Sequence, residues 1–188
     1  MRVFFCEQCC LFALSEVLRV KGGKSMANEV GVSDEIKNVI MRNSDMVYRL
    51  AFSQMKNKDD ADDVYQEVFY RYIRKKQKFD NPEHEKAWFI RVTLNCSKTV
   101  MKSFWKTKVS DIEEIEDYPT VEKEDLKFAL VQLPKRYNAV LHLFYYEDLS
   151  VETISQILKI SKPNVRMLLT RARRMLKEIL ERSEYDEK

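Results

Sequence analysis

The sequence predicts an all-α protein with two small helical domains joined by an acidic flexible linker, the C-terminal domain being a helix-turn-helix. Glycine and proline, which interrupt helices, number only three and four in 188 residues. Apolar residues recur at helical spacing over residues 33–108 and again over 121–184, without strand-like alternation. Residues 109–125 carry eight acids against one lysine, the composition of a solvated linker. The alternative interpretation of residues 109–125 is functional: an extended strand whose acidic side chains imitate the charge of nucleic acid inside a basic channel.

The first block divides into three predicted helices. The first begins at Ser33, which is followed by acids that favour a helix N-terminus, and it ends near Lys56. The second begins near Asp59, whose side chain can cap it. Pro82 disfavours helical geometry at the residue before it and therefore separates the second helix from the third. The third helix is predicted to begin one or three residues after Pro82 and to extend through Lys102.

The second block is broken at Pro134 and ends in a pattern typical of a helix-turn-helix over residues 149–180. Ser161 can cap the long second helix, and Pro163 is tolerated in its first turn because its missing N–H would be unpaired there. An apolar stripe is predicted at Val165, Leu168, Leu169, Ala172, Met175, Leu176, Ile179 and Leu180. A basic, hydrogen-bonding face is predicted at Lys162, Asn164, Arg166, Met167, Thr170, Arg171 and Arg174. Such a face suits the major groove of duplex DNA.

The distribution of charge supports this interpretation better than the net charge does. A formal net charge of +3 is too small to diagnose nucleic-acid binding by itself. Basic residues are concentrated over 71–78, 98–108 and 162–177, whereas acids are concentrated over 111–125. No apolar run in the sequence reaches the length of a membrane span.

Residues 1–32 are predicted to form an N-terminal extension. The codons just before Met26 would be purine-rich and would resemble a ribosome-binding site, so translation from Met26 is one hypothesis. Cys6, Cys9 and Cys10 could hold zinc, but no fourth ligand lies nearby in the sequence, and reduced thiols are favoured. No cofactor and no metal site is predicted.

Three motifs indicate a family. Residues 60–69, DADDVYQEVF, resemble the acidic signature of extracytoplasmic-function (ECF) sigma factors, the smallest class of the primary-type bacterial sigma family. Residues 86–95, KAWFIRVTLN, are similar to that family's tryptophan-containing helix. Residues 133–150, LPKRYNAVLHLFYYEDLS, match its Leu-Pro helix start and its Leu-Ser entry to the helix-turn-helix. Separated signatures at the right spacing make the resemblance specific over nearly all of residues 33–180.

The resemblance implies a promoter-specificity subunit that joins core RNA polymerase, and neither an enzyme nor a protein with a small-molecule substrate. It assigns residues 33–104 to sigma region 2, 105–121 to the acidic linker, 122–184 to sigma region 4 and 185–188 to a tail. The implied partners are the β′ clamp coiled coil and the β flap of the polymerase, together with promoter DNA. It also implies an anti-sigma factor that restrains the protein until an environmental or envelope signal arrives. The expected location is the cytoplasm. The anti-sigma factor could in addition hold the protein at the membrane.

The resemblance also implies which residues act at each surface. Core polymerase would be contacted by Asp62, Asp63, Gln66 and Glu67. The minus-ten element would be read and melted by Phe79, Asn81, His84, Arg91, Asn95, Lys98 and Lys102. The minus-thirty-five element would be read by Lys162, Asn164, Arg166, Met167, Thr170, Arg171 and Arg174. Met167 and Leu168 replace a small-polar and basic pair that is frequent in the family, so the sequence does not specify the bases that are read.

Two other functions are compatible with parts of the sequence. A one-component regulator would use its N-terminal helices to bind a ligand or to dimerise, and would bind an operator without polymerase. A metal-dependent nuclease would use the acids of residues 59–67. Those acids are spread along an exposed helix in a chain with only two histidines, which disfavours the nuclease.

Overall fold

The computed structural model describes residues 34–75, 77–107 and 124–186, and every regular element in these ranges is a helix. The N-terminal bundle consists of α1 (Asp34–Met55), α2 (Lys58–Lys75) and α3 (Pro82–Thr107). The C-terminal bundle consists of α4 (Glu124–Gln132), α5 (Lys135–Leu141), a π-helical turn (His142–Tyr146), α6 (Val151–Leu158) and α7 (Lys162–Asp186). The predicted all-α class is therefore confirmed. The acidic linker proper, the N-terminal extension and the three clustered cysteines lie outside the described residues.

The N-terminal bundle is built around apolar residues that recur at helical spacing on all three of its helices. Val47, Leu50, Val64, Phe69 and Phe89 are at most 1% exposed. Burial of such side chains is the main favourable term in packing amphipathic helices together. The three helices predicted for this block are thus confirmed.

An aromatic cluster fixes the entry to α3. Phe79, in the loop before α3, stacks on Tyr72 of α2 with ring centroids 6.0 Å apart and planes 13° apart. Phe79 also meets Trp88 edge-on at 5.7 Å, and Trp88 in turn meets Phe89 at 5.0 Å. Edge-on and stacked pairs of this kind stabilise beyond the area they bury. Trp88 was predicted to belong mainly to the core, and its half-buried position in this cluster agrees with that prediction.

Helix boundaries differ from the prediction at two places. Asn57, not Asp59, caps α2, because its Oδ1 accepts the Asp60 backbone N–H at 2.8 Å. The preceding residue, Lys56, has a left-handed φ of 66°, which turns the chain so that Asn57 faces the helix end. Helix α3 begins at Pro82 itself and continues to Thr107, beyond the end predicted at residue 102. Proline is well suited to a first helical position, and no helix breaker follows before residue 107.

The helix-turn-helix follows the predicted pattern of a short helix, a three-residue turn and a long helix. Ser150 caps α6 by accepting the Thr153 N–H at 3.0 Å. Lys159 ends α6 with a left-handed φ of 54°, a conformation usually left to glycine. Ser161 Oγ accepts the Asn164 N–H at 3.4 Å at the start of α7, as the sequence predicts for a cap.

The two bundles pack against each other. Helix α1 contacts α5, helix α3 contacts α6, and the buried apolar residues form one continuous cluster. Gln54 of α1 donates from Nε2 to Asn138 Oδ1 at 3.3 Å, and both residues are buried. The sequence interpretation of two domains joined by a linker does not predict this contact.

None of the helices in the described ranges combines the length and the apolar character that a bilayer span needs.

Candidate nucleic-acid and polymerase interfaces

Helix α7 separates its side chains into the two faces that the sequence predicts. Val165, Leu169 and Ala172 are at most 3% exposed. The remaining members of the predicted stripe are partly buried: Leu168, Met175, Leu176, Ile179 and Leu180. The predicted DNA-facing residues are all exposed: Lys162, Asn164, Arg166, Met167, Thr170, Arg171 and Arg174. The structure therefore brings these residues together on one accessible face of one helix.

Some cations of α7 already have partners within the protein. Lys162 Nζ lies 2.6 Å from Glu152 Oε1, so this pair ties α7 to α6 across the turn. Arg174 Nε lies 3.5 Å from Glu178 Oε1, one helical turn away. Exposed pairs of this kind contribute little to stability and can be exchanged for a phosphate at small cost. Their geometry is compatible with a later contact to DNA.

Arg173 is exposed, but its guanidinium contacts aromatic side chains of the π-helical turn. Its Nε donates to the Tyr145 hydroxyl at 2.8 Å, and its guanidinium lies 5.5 Å from the centre of the Phe144 ring. These contacts join α7 to the π-helical turn. Arg173 therefore has a packing role in this structure, and the basic face consists of the residues on either side of it.

The loop before α3 and the first turn of that helix bring together the three melting residues predicted there, Phe79, Asn81 and His84. The rings of Phe79 and His84 meet edge-on, with centroids 6.0 Å apart. His84 is exposed, and its Nδ1 lies 3.3 Å from Asp80 Oδ2. Asn81 is the N-cap of α3, because its Oδ1 accepts the His84 N–H at 2.7 Å. Phe79 belongs to the aromatic cluster described above.

The predicted contacts along α3 whose side chains the structure describes are exposed. Arg91, Asn95 and Lys98 are exposed and follow at four- and three-residue steps, which places them near one another on the helix. Lys102 continues this series in the helix, and its side chain lies outside the described part. Arg91, although exposed, donates from Nε to the Ile157 carbonyl of α6 at 3.4 Å.

The acidic face of α2 is less exposed than the sequence predicts. Asp63 is exposed, whereas Asp62, Gln66 and Glu67 are partly buried. Burial raises the pKa of the Asp62 carboxyl, while the charge of Lys58 and a hydrogen bond from the Tyr48 hydroxyl oppose the increase.

One member of this face is held by its own helix. Glu67 Oε1 accepts from Arg71 Nε at 2.8 Å, one turn further along α2. The sequence predicts that all four residues of this face are exposed, and the structure corrects that prediction. Neighbouring side chains on α1 and α2 cover part of the face. Asp63 is the most accessible of the three acids on this face.

An ion pair between Arg42 and the buried carboxylate of Glu85 fixes α3 against α1. The Glu85 carboxylate accepts bonds from both ends of the Arg42 guanidinium, one of them from Nε at 2.7 Å, and a third from Asn43 at 2.6 Å. Burial alone would raise the pKa of Glu85, but these hydrogen bonds outweigh it and leave the pKa below its usual value. The pair sets the position of the helix that carries Arg91 and Asn95.

Glu147 forms a second buried charge cluster, which sequence reasoning missed. Its side chain is 4% exposed, and its carboxylate lies 3.3 Å from Arg49 Nη2 and 3.1 Å from Lys86 Nζ. Lys86 Nζ also donates to the Glu147 carbonyl at 3.1 Å. Arg49 belongs to α1 and Lys86 to α3, so all three bonds cross between the bundles. Sequence periodicity gives no sign of them, because the partners are about 60 and 100 residues apart.

The adjacent His142 is neutral near pH 7. Burial lowers its pKa to about 4, with the charge of Glu147 opposing and that of Arg49 assisting the shift. Among the side chains that the structure describes, His142 Nε2 is the buried polar atom without a hydrogen-bond partner. The cations that neutralise Glu147 are therefore Arg49 and Lys86.

No three histidine, cysteine or carboxylate side chains of the described ranges lie close enough together to hold a metal ion.

Two family models match this chain, one for each bundle, and both describe parts of the same type of protein. The family model described as sigma-70 region 2 matches residues 39–107, and the one described as sigma-70, region 4 matches residues 123–176.

Relatives with similar sequences carry the same description. The chain is 33% identical over 135 residues to the RNA polymerase sigma factor SigV of Bacillus subtilis, covering 69% of this chain and 81% of that protein. It is 30% identical over 164 residues to the ECF RNA polymerase sigma factor SigM of the same organism, covering 82% of this chain and 98% of that protein.

The fold is also similar to that of a solved structure. The sigma factor RpoE of Bartonella quintana, crystallised in complex with the anti-sigma factor NepR, superimposes with a TM-score of 0.69 at 20% sequence identity. The match covers 79% of this chain and 98% of that one. At this identity the likeness establishes the fold.

Proposed function

Because the chain belongs to the ECF family of RNA polymerase sigma factors, we propose that its two bundles divide the promoter between them. As a sigma factor it binds core RNA polymerase and directs promoter-specific initiation of transcription. In the proposed division, the N-terminal bundle acts as region 2, which docks on the polymerase and opens the minus-ten element. The C-terminal bundle acts as region 4, which reads the minus-thirty-five element.

The observation that carries this proposal is the exposed face of α7. A long helix that follows a three-residue turn, with a buried apolar stripe and an exposed basic face, has the geometry of a recognition helix. Arg166 and Arg171 can each donate two bonds to guanine, and Met167 and Thr170 can contact thymine methyl groups. Lys162 would contact phosphate after exchanging its bond to Glu152.

The minus-ten assignment rests on the loop and the exposed side of α3. Opening a duplex needs a place for an unstacked base and cations that follow the displaced strand. We assign the first task to Phe79, Asn81 and His84, which the aromatic cluster and the α3 cap hold in place. The second task is assigned to Arg91, Asn95, Lys98 and Lys102. Binding energy alone would melt the promoter, so the protein itself would catalyse no bond chemistry.

The polymerase assignment rests on the polar face of α2 and the outer surface of the C-terminal bundle. Asp62, Asp63, Gln66 and Glu67 would meet a basic partner helix of the β′ clamp. The outer surface of region 4 would rest on the β flap. A one-component regulator is disfavoured, because the N-terminal helices match a sigma region over residues 39–107 where that interpretation places a ligand or dimerisation domain.

We also propose that an anti-sigma factor restrains this protein until an environmental or envelope signal releases it. The fold is similar to that of a sigma factor crystallised with such a partner. The protein would act in the cytoplasm, where the polymerase is, and an anti-sigma factor anchored in the membrane would retain it there.

Replacing Asp63 and Gln66 by alanine together is expected to weaken binding to core polymerase about tenfold, because a charge-assisted hydrogen bond and an amide contact are lost. The measurement is the equilibrium affinity of the full chain for purified core enzyme. The matched control replaces Asn38 and Asp45, an exposed amide and an exposed acid on α1, by alanine. An unchanged affinity in the Asp63/Gln66 variant would rule out α2 as the docking face.

A further inference from the structure

Met167 is an apolar side chain, and one that is readily oxidised, on the otherwise polar exposed face of α7. Its side chain is 40% exposed. Arg166 precedes it in the chain, and Thr170 and Arg171 follow one helical turn later, all of them exposed. At this exposure, small molecules in solution can reach the thioether, as they cannot reach a methionine that fills space in a core.

Met167 and Thr170 together form an apolar spot on this face. The Thr170 Oγ1 donates to the Arg166 carbonyl at 3.0 Å, so its hydroxyl is used within the helix and its methyl group is left for an outside contact. Residues three apart lie on the same side of a helix, which makes the two side chains neighbours. In the proposed function this spot contacts thymine methyl groups in the major groove, a contact that requires apolar side chains.

The methionines whose side chains the structure describes differ in exposure. Met46 and Met55 lie in the core of the N-terminal bundle and are 6% and 7% exposed. Met175 is partly buried on the apolar side of α7. Met41 is 52% exposed, but it lies on α1, where we assign no contact with DNA or polymerase. Because oxidation follows exposure, Met41 and Met167 should react before the others, and Met167 alone of these lies on the proposed DNA-binding face.

Oxidation replaces the apolar contact by a polar group. In the reaction with hydrogen peroxide, the thioether sulfur attacks one peroxide oxygen, the O–O bond breaks and the other oxygen leaves as hydroxide. The hydroxide takes the proton of the new S–OH group, which gives the sulfoxide and water. The sulfur is oxidised by two electrons and the peroxide is reduced by two. The sulfoxide oxygen is a hydrogen-bond acceptor that a thymine methyl group cannot satisfy.

From these observations we propose that Met167 is a site of reversible oxidation, through which oxidants of the peroxide class lower the affinity of this factor for its promoters. The proposal rests on the proposed function, because it requires α7 to read the minus-thirty-five element. Dedicated reductases convert methionine sulfoxide back to methionine, so the change is reversible. The oxidised factor still joins core polymerase, since the proposed docking face lies on α2, but it selects promoters poorly.

The test compares the full chain with Met167→Leu, which keeps an apolar side chain of similar size and removes the sulfur. Each protein is treated with hydrogen peroxide until peptide mass spectrometry shows oxidation of residue 167 in the wild type. The peroxide is removed before core polymerase is added, and affinity for a promoter found by transcript mapping is measured. We expect the oxidised wild type to bind about tenfold more weakly, the effect of one unpaired polar group, and a methionine sulfoxide reductase to restore binding. Met167→Leu should bind equally before and after treatment.

Met41→Leu is the matched control, because it removes the sulfur of an exposed methionine outside the proposed DNA-binding face. This variant should lose promoter affinity on oxidation as the wild type does. Met167→Gln places a polar side chain of similar length at the same position. It should weaken promoter binding about tenfold without any oxidant, which tests the physical argument separately from the oxidation chemistry.

Three results would overturn the proposal. Oxidation of Met46 and Met55 before Met167 would show that this thioether is not the accessible one. Equal losses of promoter binding in the wild type and in Met167→Leu would place the sensitive residue elsewhere. Unchanged binding by a wild type that is fully oxidised at residue 167 would exclude the apolar contact. If the untreated wild type selects no promoter with core polymerase, the proposed function itself fails, and the untreated sample alone distinguishes that failure from the other three.

Discussion

Replacing Phe89 by alanine is expected to destabilise the protein by about 3–5 kcal/mol, the usual cost of removing a buried phenylalanine. Phe89 is 0% exposed, and its ring centroid lies 5.5 Å from those of both Phe69 and Tyr72 and 5.0 Å from that of Trp88. The variant would leave a cavity among rings that cannot close around it without leaving their rotamers. Urea unfolding followed by circular dichroism measures the change.

The same substitution should impair function, because the cluster around Phe89 also supports Phe79 at the entry to α3. The control is Met41→Ala, which removes an apolar side chain of α1 that is 52% exposed. That change is expected to alter the free energy of unfolding by no more than about 0.5 kcal/mol. A loss below about 1 kcal/mol for Phe89→Ala would mean that this residue is not at the centre of the core.

Replacing Arg171 by alanine is expected to reduce transcription from cognate promoters by about 10- to 100-fold, because one good contact to a base discriminates by about 1–3 kcal/mol. Arg171 is exposed on the face of α7 that carries Arg166, Met167 and Thr170. Binding to core polymerase should be unchanged, since the proposed docking face lies on α2. Initiation rate and core affinity are measured on the same preparation.

Arg182→Ala is the matched control for that experiment. Arg182 is an exposed arginine on the same helix, beyond the predicted recognition face. Removing Arg182 lowers the net charge of the protein by the same amount as removing Arg171. We expect Arg182→Ala to reduce transcription only slightly. Loss of core binding in Arg171→Ala would show that α7 serves the polymerase instead of the promoter.

Sequence periodicity predicted the long helices and their buried faces well, because apolar residues recur on one face of each of them. The apolar stripe on α7, from Val165 onward, is buried as its spacing predicts, and Ser161 caps the helix. Boundaries were less predictable where two side chains could both cap, as with Asn57 and Asp59. The left-handed φ of Lys56 decided between them, and nothing in the sequence marks that residue.

Long-range polar contacts were not predictable, because their partners have no fixed spacing along the chain. Glu147 meets Arg49 and Lys86 only after the π-helical turn has rotated the chain between α5 and α6. Arg91 was predicted as an accessible contact, and its bond to the Ile157 carbonyl depends on how the bundles pack. The roles assigned to the DNA and polymerase contacts stay predictions, for which the structure supplies positions and exposures.

The most direct test of the central claim is the mapping of transcript 5′ ends made by purified core polymerase with and without this chain. The expected result is a set of new start sites that share two upstream elements about 25 base pairs apart, one for each bundle. Start sites that do not change when the chain is added, together with binding to duplex DNA in the absence of polymerase, would contradict the assignment.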